Sequence, residues 1–172
     1  MASNRLPALI ARDGLLIAVS AALWMCTLHF GTASGVWPVT LNILTGLMTM
    51  LIAYLLHEWG HLIGAWLSGS VVHLPEGALS SPFLFRFDTG LNGRRQFLAM
   101  SAGGFISSAV VVVALLLALP SGWLASHIAL GLTVLGVLAT FILEFPPAWK
   151  VFRGGAMPGG AAFVSSPGDT KP

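Results

Sequence analysis

The sequence predicts an all-α polytopic membrane protein of about four transmembrane helices. Three observations predict it. The chain has 172 residues, 56% of them hydrophobic and only 8% charged, and its mean hydropathy is +0.86. A soluble domain carries about a quarter charged residues. The apolar residues gather into four runs, each long enough to cross the ~30 Å hydrocarbon core as a helix. The runs are continuous and lack the alternation that a membrane β-barrel strand needs. The net charge of +2 rests on eight Lys/Arg against six Asp/Glu. No basic cluster interleaves with aromatics, so no nucleic acid is expected as a partner; the expected partners are the lipid bilayer and other membrane proteins. A single cysteine, Cys26, rules out an intrachain disulfide.

The first run covers about Leu15 to Phe30 and follows Arg5 and Arg12. Those two charges, the apolar run and the small Thr32-Ala33-Ser34 also fit a signal peptide. The length of the run, with Trp24 and His29 inside it, favours a retained span. The second run extends from about Leu41 to Leu67, the third from Phe97 to Leu119 and the fourth from Leu124 to Phe145. Residues 31–40 and 120–123 form short turns. The longer connection, 68–96, holds His73, Glu76, Arg86, Asp88, Arg94 and Arg95. Pro75, Pro82 and three glycines exclude a regular helix between Val71 and Arg95. The alternation Phe83-Leu84-Phe85-Arg86-Phe87 fits a short strand or re-entrant hairpin, whose edge could hold an extended peptide by strand addition. An amphipathic loop lying on the membrane fits the same residues. From Lys150 the chain is rich in Gly, Pro, Ser and Ala, which predicts a membrane domain over 1–149 and a flexible cytoplasmic tail over 150–172.

Charge orients the spans. All eight Lys and Arg residues flank the runs on one side, and the two short turns have none. The positive-inside rule puts both termini and the long connection in the cytoplasm, as expected for an integral protein of the cell (plasma) membrane. Trp37 and Trp123 then mark the outer interface, and Trp66 and Trp149 the inner one.

His57-Glu58-Trp59-Gly60-His61 lies inside the second run. Ionisable groups in a span are costly and mark functional sites. Histidines four apart lie on one helix face and can offer two ring nitrogens to one ion, for which Zn2+ is the natural choice. Glu58 stands about 100° round the helix from His57. It is placed to reach a water on the ion rather than the ion itself, as a general base does. A catalytic zinc site needs a third protein ligand. Glu144, near the end of the fourth run, should sit at the same depth as the motif; His73, Glu76 and Asp88 are its rivals from the connection. Gly60 and Gly64, with Gly103, Gly104, Ser107 and Ser108, form small-residue stripes that allow close helix contact.

These residues resemble the site-2 protease family of intramembrane zinc metallopeptidases. The resemblance rests on Leu55-Leu56-His57-Glu58-Trp59-Gly60-His61 within a span. It rests also on Ser101-Ala102-Gly103-Gly104-Phe105-Ile106-Ser107-Ser108, which is similar to the family's Gly-Pro-x-x-Asn segment at the start of the next core helix. It covers about residues 41–147. It implies a three-helix catalytic core, zinc on His57 and His61, Glu58 as catalytic base, and Gly103, Gly104 and Ser108 at substrate-binding positions. It also implies a substrate that is the transmembrane segment of another protein, cleaved near the cytoplasmic face. Gly104 stands where the family has proline and Ser108 where it has asparagine. There is no Leu-Asp-Gly carrying a third ligand; Glu144-Phe145-Pro146-Pro147 lies in the comparable region. A catalytically inactive relative that binds a partner's transmembrane helix as an assembly or regulatory factor is the alternative. A metal transporter is disfavoured by the absence of inverted repeats.

Overall fold

The computed structural model describes residues 5–77, 79–81, 83–159 and 164–165. Four helices dominate: α1 (Arg5–Phe30), α2 (Val36–Leu67), α3 (Arg94–Ala118) and α4 (Leu124–Phe152). Each is long and apolar enough to cross a membrane. Their outer faces carry Leu15, Met25, Leu117, Ile142 and Leu143 largely in the open. Water would penalise such a surface, whereas lipid tails match it. The helices run further than the apolar runs. α1 starts at Arg5, and α4 continues through Pro146 and Pro147 to Phe152, beyond the expected boundary at residue 149. The two prolines remove the N–H groups that would bond the carbonyls of Ile142 and Leu143. Lipid gives the chain no better hydrogen-bonding alternative than to remain helical.

α2 is the central element and packs against the other three helices, while α3 and α4 also touch each other. Its contacts differ in kind. Toward α1 they are hydroxyls: Thr27 Oγ1 and Thr45 Oγ1 lie 2.7 Å apart, and Trp24 Nε1 donates to Thr49 Oγ1 at 2.8 Å. Such bonds hold helices together where burial in lipid provides little drive. Toward α3 the contact is backbone on backbone. A Cβ added at Gly60 or Gly103 would overlap the carbonyl oxygen of the other residue, and one at Gly64 would overlap that of Ala99. The small-residue stripes thus do meet. Toward α4, Asn42 is the tie. Its amide nitrogen donates to Pro38 O (2.8 Å) and Gly31 O (3.1 Å), and its oxygen accepts from the Ala125 N–H (3.1 Å). One side chain thereby serves the end of α1 and an otherwise unmatched donor in the first turn of α4.

At the opposite end the long connection folds into the bundle. Strand β1 (Val72–His73) pairs antiparallel with β2 (Arg86–Asp88), placing Val72 opposite Phe87 and His73 opposite Arg86. This is the hairpin that the alternating residues allow. Leu84, Phe85 and Phe87 bury themselves among Leu9, Leu62, Phe97, Met100 and Val151. Asn92 secures the hairpin, accepting from Val71 N and donating to the carbonyls of Val71 and Asp88, all within 2.8 Å. Arg5 bonds Leu74 O and Arg94 bonds Gly154 O, so the start of α1, the connection and the end of α4 share this end. Part of the expected tail is paired: β3 (Val164–Ser165) lies parallel to β2, with Val164 opposite Phe87. Residues 160–163 and 166–172 of that tail lie outside the described residues.

Overpacking a close contact costs about 1–3 kcal/mol. Gly103→Val should therefore lower the thermal unfolding midpoint of the purified protein, because its new methyls meet the α2 backbone and not a movable side chain. Gly131→Ala, whose Cβ meets nothing within 4 Å, should leave the midpoint unchanged or raise it.

Candidate metal centre

His57 and His61 sit one turn apart on the face of α2 that meets α3, and both are buried. α3 orients them. His57 Nδ1 lies 3.2 Å from the carbonyl oxygen of Gly104 and 2.8 Å from Ser108 Oγ; His61 Nδ1 lies 2.9 Å from the carbonyl oxygen of Met100. A carbonyl oxygen only accepts, so each Nδ1 carries the ring proton and donates it. In the neutral rings both Nε2 atoms then present lone pairs, and these two atoms are 3.0 Å apart. Glu144 on α4 completes the cluster. Its Oε2 is 3.1 Å from His61 Nε2 and its Oε1 is 3.6 Å from His57 Nε2.

Three electron-pair donors that converge in an apolar bundle repel one another unless a proton or a metal cation lies among them. The spacing fits such an ion. Bonds of about 2.0–2.1 Å in tetrahedral directions separate neighbouring donor atoms by about 3.3 Å, the middle of the observed 3.0–3.6 Å. The ring nitrogens opposite the ligand atoms already donate to carbonyl oxygens, the arrangement that fixes tautomer and orientation in metal-bound histidines. His57, His61 and Glu144 can thus hold one metal ion.

The rivals for the third position lie elsewhere. Asp88 Oδ2 faces His73 Nε2 at 3.4 Å, and its Oδ1 accepts from the amides of Gly90 and Leu91, closing a turn. Glu76 is exposed in the connection. Glu58 is buried next to His57 but belongs to another set of contacts. Its Oε2 accepts the Leu84 N–H at 3.1 Å. The helical offset that separates it from the ligand pair also aims it at the inserted connection.

Gly103, Gly104 and Ser108 all lie at the α2–α3 contact. Gly103 packs on the backbone of Gly60 and Gly64. Gly104 lies under the His61 ring, where any Cβ would overlap the imidazole, and Ser108 supports His57. Three contributors leave little trace in the sequence. The carbonyl of Met100 and the amide of Leu84 are backbone groups, which no residue type announces. Asp13 is the third. Buried on α1, its Oδ2 accepts from Trp59 Nε1 at 2.7 Å, and its Oδ1 pairs with Arg12 Nε at 2.6 Å. It ties α1 to the middle residue of the histidine motif. The signal was an acidic residue at the edge of an apolar run, where lipid demands a partner.

No protein-family model, no curated protein and no solved structure matches this chain.

Metal analysis of the purified, zinc-loaded protein should find about one ion per chain, lost in His57→Ala and His61→Ala and weakened in Glu144→Gln. Ser108→Ala removes one of the two acceptors facing His57 Nδ1. Titration with a competing chelator should show a fall in metal affinity of about tenfold, the lower end of such outer-shell effects.

Proposed function

We propose that this protein is an intramembrane zinc metalloprotease. It hydrolyses a peptide bond in or near a transmembrane segment of a membrane-protein substrate, close to the cytoplasmic face of the cell membrane. The observation that carries the reading is the convergence of two imidazole lone pairs and one carboxylate between apolar helices, with a second carboxylate, Glu58, beside them and outside the ligand set. Zinc suits this donor set, because it accepts nitrogen and oxygen together and brings no redox chemistry of its own. Three protein ligands leave a coordination position for water or substrate. The reading takes α2, α3 and α4, which supply the ligands and their supports, as the three-helix core that the resemblance to site-2 proteases implies.

Bound zinc supplies Lewis acidity, which polarises a scissile carbonyl and makes a water more acidic. The remaining work falls to the chain. Glu58 accepts the proton of the attacking water as the water oxygen bonds to the carbonyl carbon. It returns that proton to the amine nitrogen as the C–N bond breaks. The Leu84 amide holds one oxygen of Glu58 and leaves the other for this transfer. Asp13 and the α3 carbonyls keep the motif helix and its two rings from turning. The apolar surroundings limit water at the site, so a hydrolase here depends on orienting the little water that arrives.

Glu58→Gln tests the reading against its main rival, an inactive protein that binds a partner's transmembrane helix. New protein N-termini can be mapped by mass spectrometry in membranes of cells expressing each form. Wild-type protein should generate termini inside hydrophobic segments, and Glu58→Gln should reduce them at least ~100-fold with zinc content unchanged. Termini that persist in Glu58→Gln, or that are absent with the wild type, would favour the binding protein.

A further inference from the structure

A cavity of about 360 Å³ opens between α2, α3 and α4, and His57 and Ser108 are part of its wall. Its other α2 residues precede His57 and its α4 residues, Leu132 to Thr140, precede Glu144. It therefore extends from the metal centre away from the inserted connection. From Met50 to His57 the helix rises about 10 Å. The walls are mostly aliphatic, with Leu51, Val111, Leu132 and Val137, and no Asp, Glu, Lys or Arg lines them. Hydroxyls interrupt them. Thr133, on the wall, is buried, and its Oγ1 has no hydrogen-bond partner. A helical threonine ordinarily bonds back to a carbonyl of the preceding turn, and an unmet hydroxyl in apolar surroundings is costly. Gly136 recesses the α4 wall: a Cβ built there meets nothing within 4 Å.

We propose that this cavity is the subsite for an uncharged, apolar side chain of the polypeptide substrate, next to the scissile bond on its membrane-embedded side. The proposal rests on the protease reading of the metal centre. A peptide carbonyl at the metal position puts the neighbouring side chain beside His57, where the cavity begins. A cavity of about 150 Å³ takes a benzene ring, so this one accommodates a leucine or phenylalanine and part of the next residue. Charged side chains have no counter-charge in its walls and are excluded. A substrate helix must unwind to be cut, which frees backbone groups that lipid cannot satisfy. A lipid acyl chain would fill the same walls, but it carries no group for the metal position that the cavity adjoins at His57, which favours a peptide.

Hydroxamates that chelate zinc test this without a known substrate. The probes are acetohydroxamate and the hydroxamates of N-acetyl-leucine, N-acetyl-aspartate and octanoic acid, titrated against zinc-loaded protein in one detergent. The leucine compound should bind about tenfold tighter than acetohydroxamate, and the aspartate compound no tighter. In Gly136→Phe, whose added Cβ meets nothing within 4 Å on the cavity wall and whose ring is meant to occupy the cavity, that preference should shrink to within about twofold; because both proteins are compared in the same detergent, micelle partitioning cancels. Gly131→Phe, on the same helix but outside the cavity wall, should keep the preference. The proposal is overturned by equal binding of the leucine and acetyl compounds in the wild type, or by an undiminished preference in Gly136→Phe. Stronger binding of the octanoyl than of the leucine compound would mark an acyl-chain slot and overturn it too. A zinc-free protein that binds none of the probes refutes the metal reading and the subsite together. A leucine preference in a protein that yields no new N-termini refutes the protease and with it a subsite next to a scissile bond, whereas new N-termini without a leucine preference refute the subsite alone.

Discussion

The contact between α2 and α3 is made backbone to backbone, and the site depends on it. With Gly60, Gly64 and Gly103 at the crossing, no side chain holds the helices apart. The carbonyls of Gly104 and Met100 can then reach across to the two histidines. Ordinary side chains at the crossing would widen the separation by ångströms, beyond hydrogen-bond reach. Both rings would lose the acceptors that set their tautomer. The same closeness accounts for Gly104, whose missing Cβ is the space that the His61 ring occupies.

A second constraint follows from the solvent. In hydrocarbon each polar group must find a partner within the protein. Asn42, Thr45 and Thr49 bond to neighbouring helices or to their own preceding turn, and Asp13 finds Arg12 and Trp59. Against that background two places stand out. At His57 and His61 the outer ring nitrogens bond to α3, and the inner ones face each other and the Glu144 carboxylate. On α4 the buried hydroxyls of Ser126 and Thr133 remain unmatched. His57 belongs both to the candidate metal centre and to the cavity wall, so the cavity opens from the centre.

The inserted connection links the charged end of the molecule to the centre. Leu84, Phe85 and Phe87 bury apolar surface below the motif, and the Leu84 amide meets Glu58. A carboxylate so deep in an apolar bundle needs such a donor, and a backbone amide supplies one without adding a charge. The inserted segment thereby also orients Glu58, the group proposed to transfer the proton.

Helix number, membrane character and the histidine pair were legible in the sequence because each depends on local pattern. Run length decides whether a helix can span, and a spacing of four puts His57 and His61 on one face whatever surrounds them. The depth argument for Glu144 worked because helix rise is constant, so distance from a charged end converts to position in the bundle. Helix ends were less legible: α4 continues through Pro146-Pro147, where lipid outweighs the local preference to stop. Nothing local could reveal that Gly104, Ser108 and the Met100 carbonyl support the rings, or that Asp13 anchors Trp59 and Leu84 holds Glu58. Nor could it reveal the cavity beside Gly136. Those depend on which helix faces meet and how closely, and only packing among distant segments decides that.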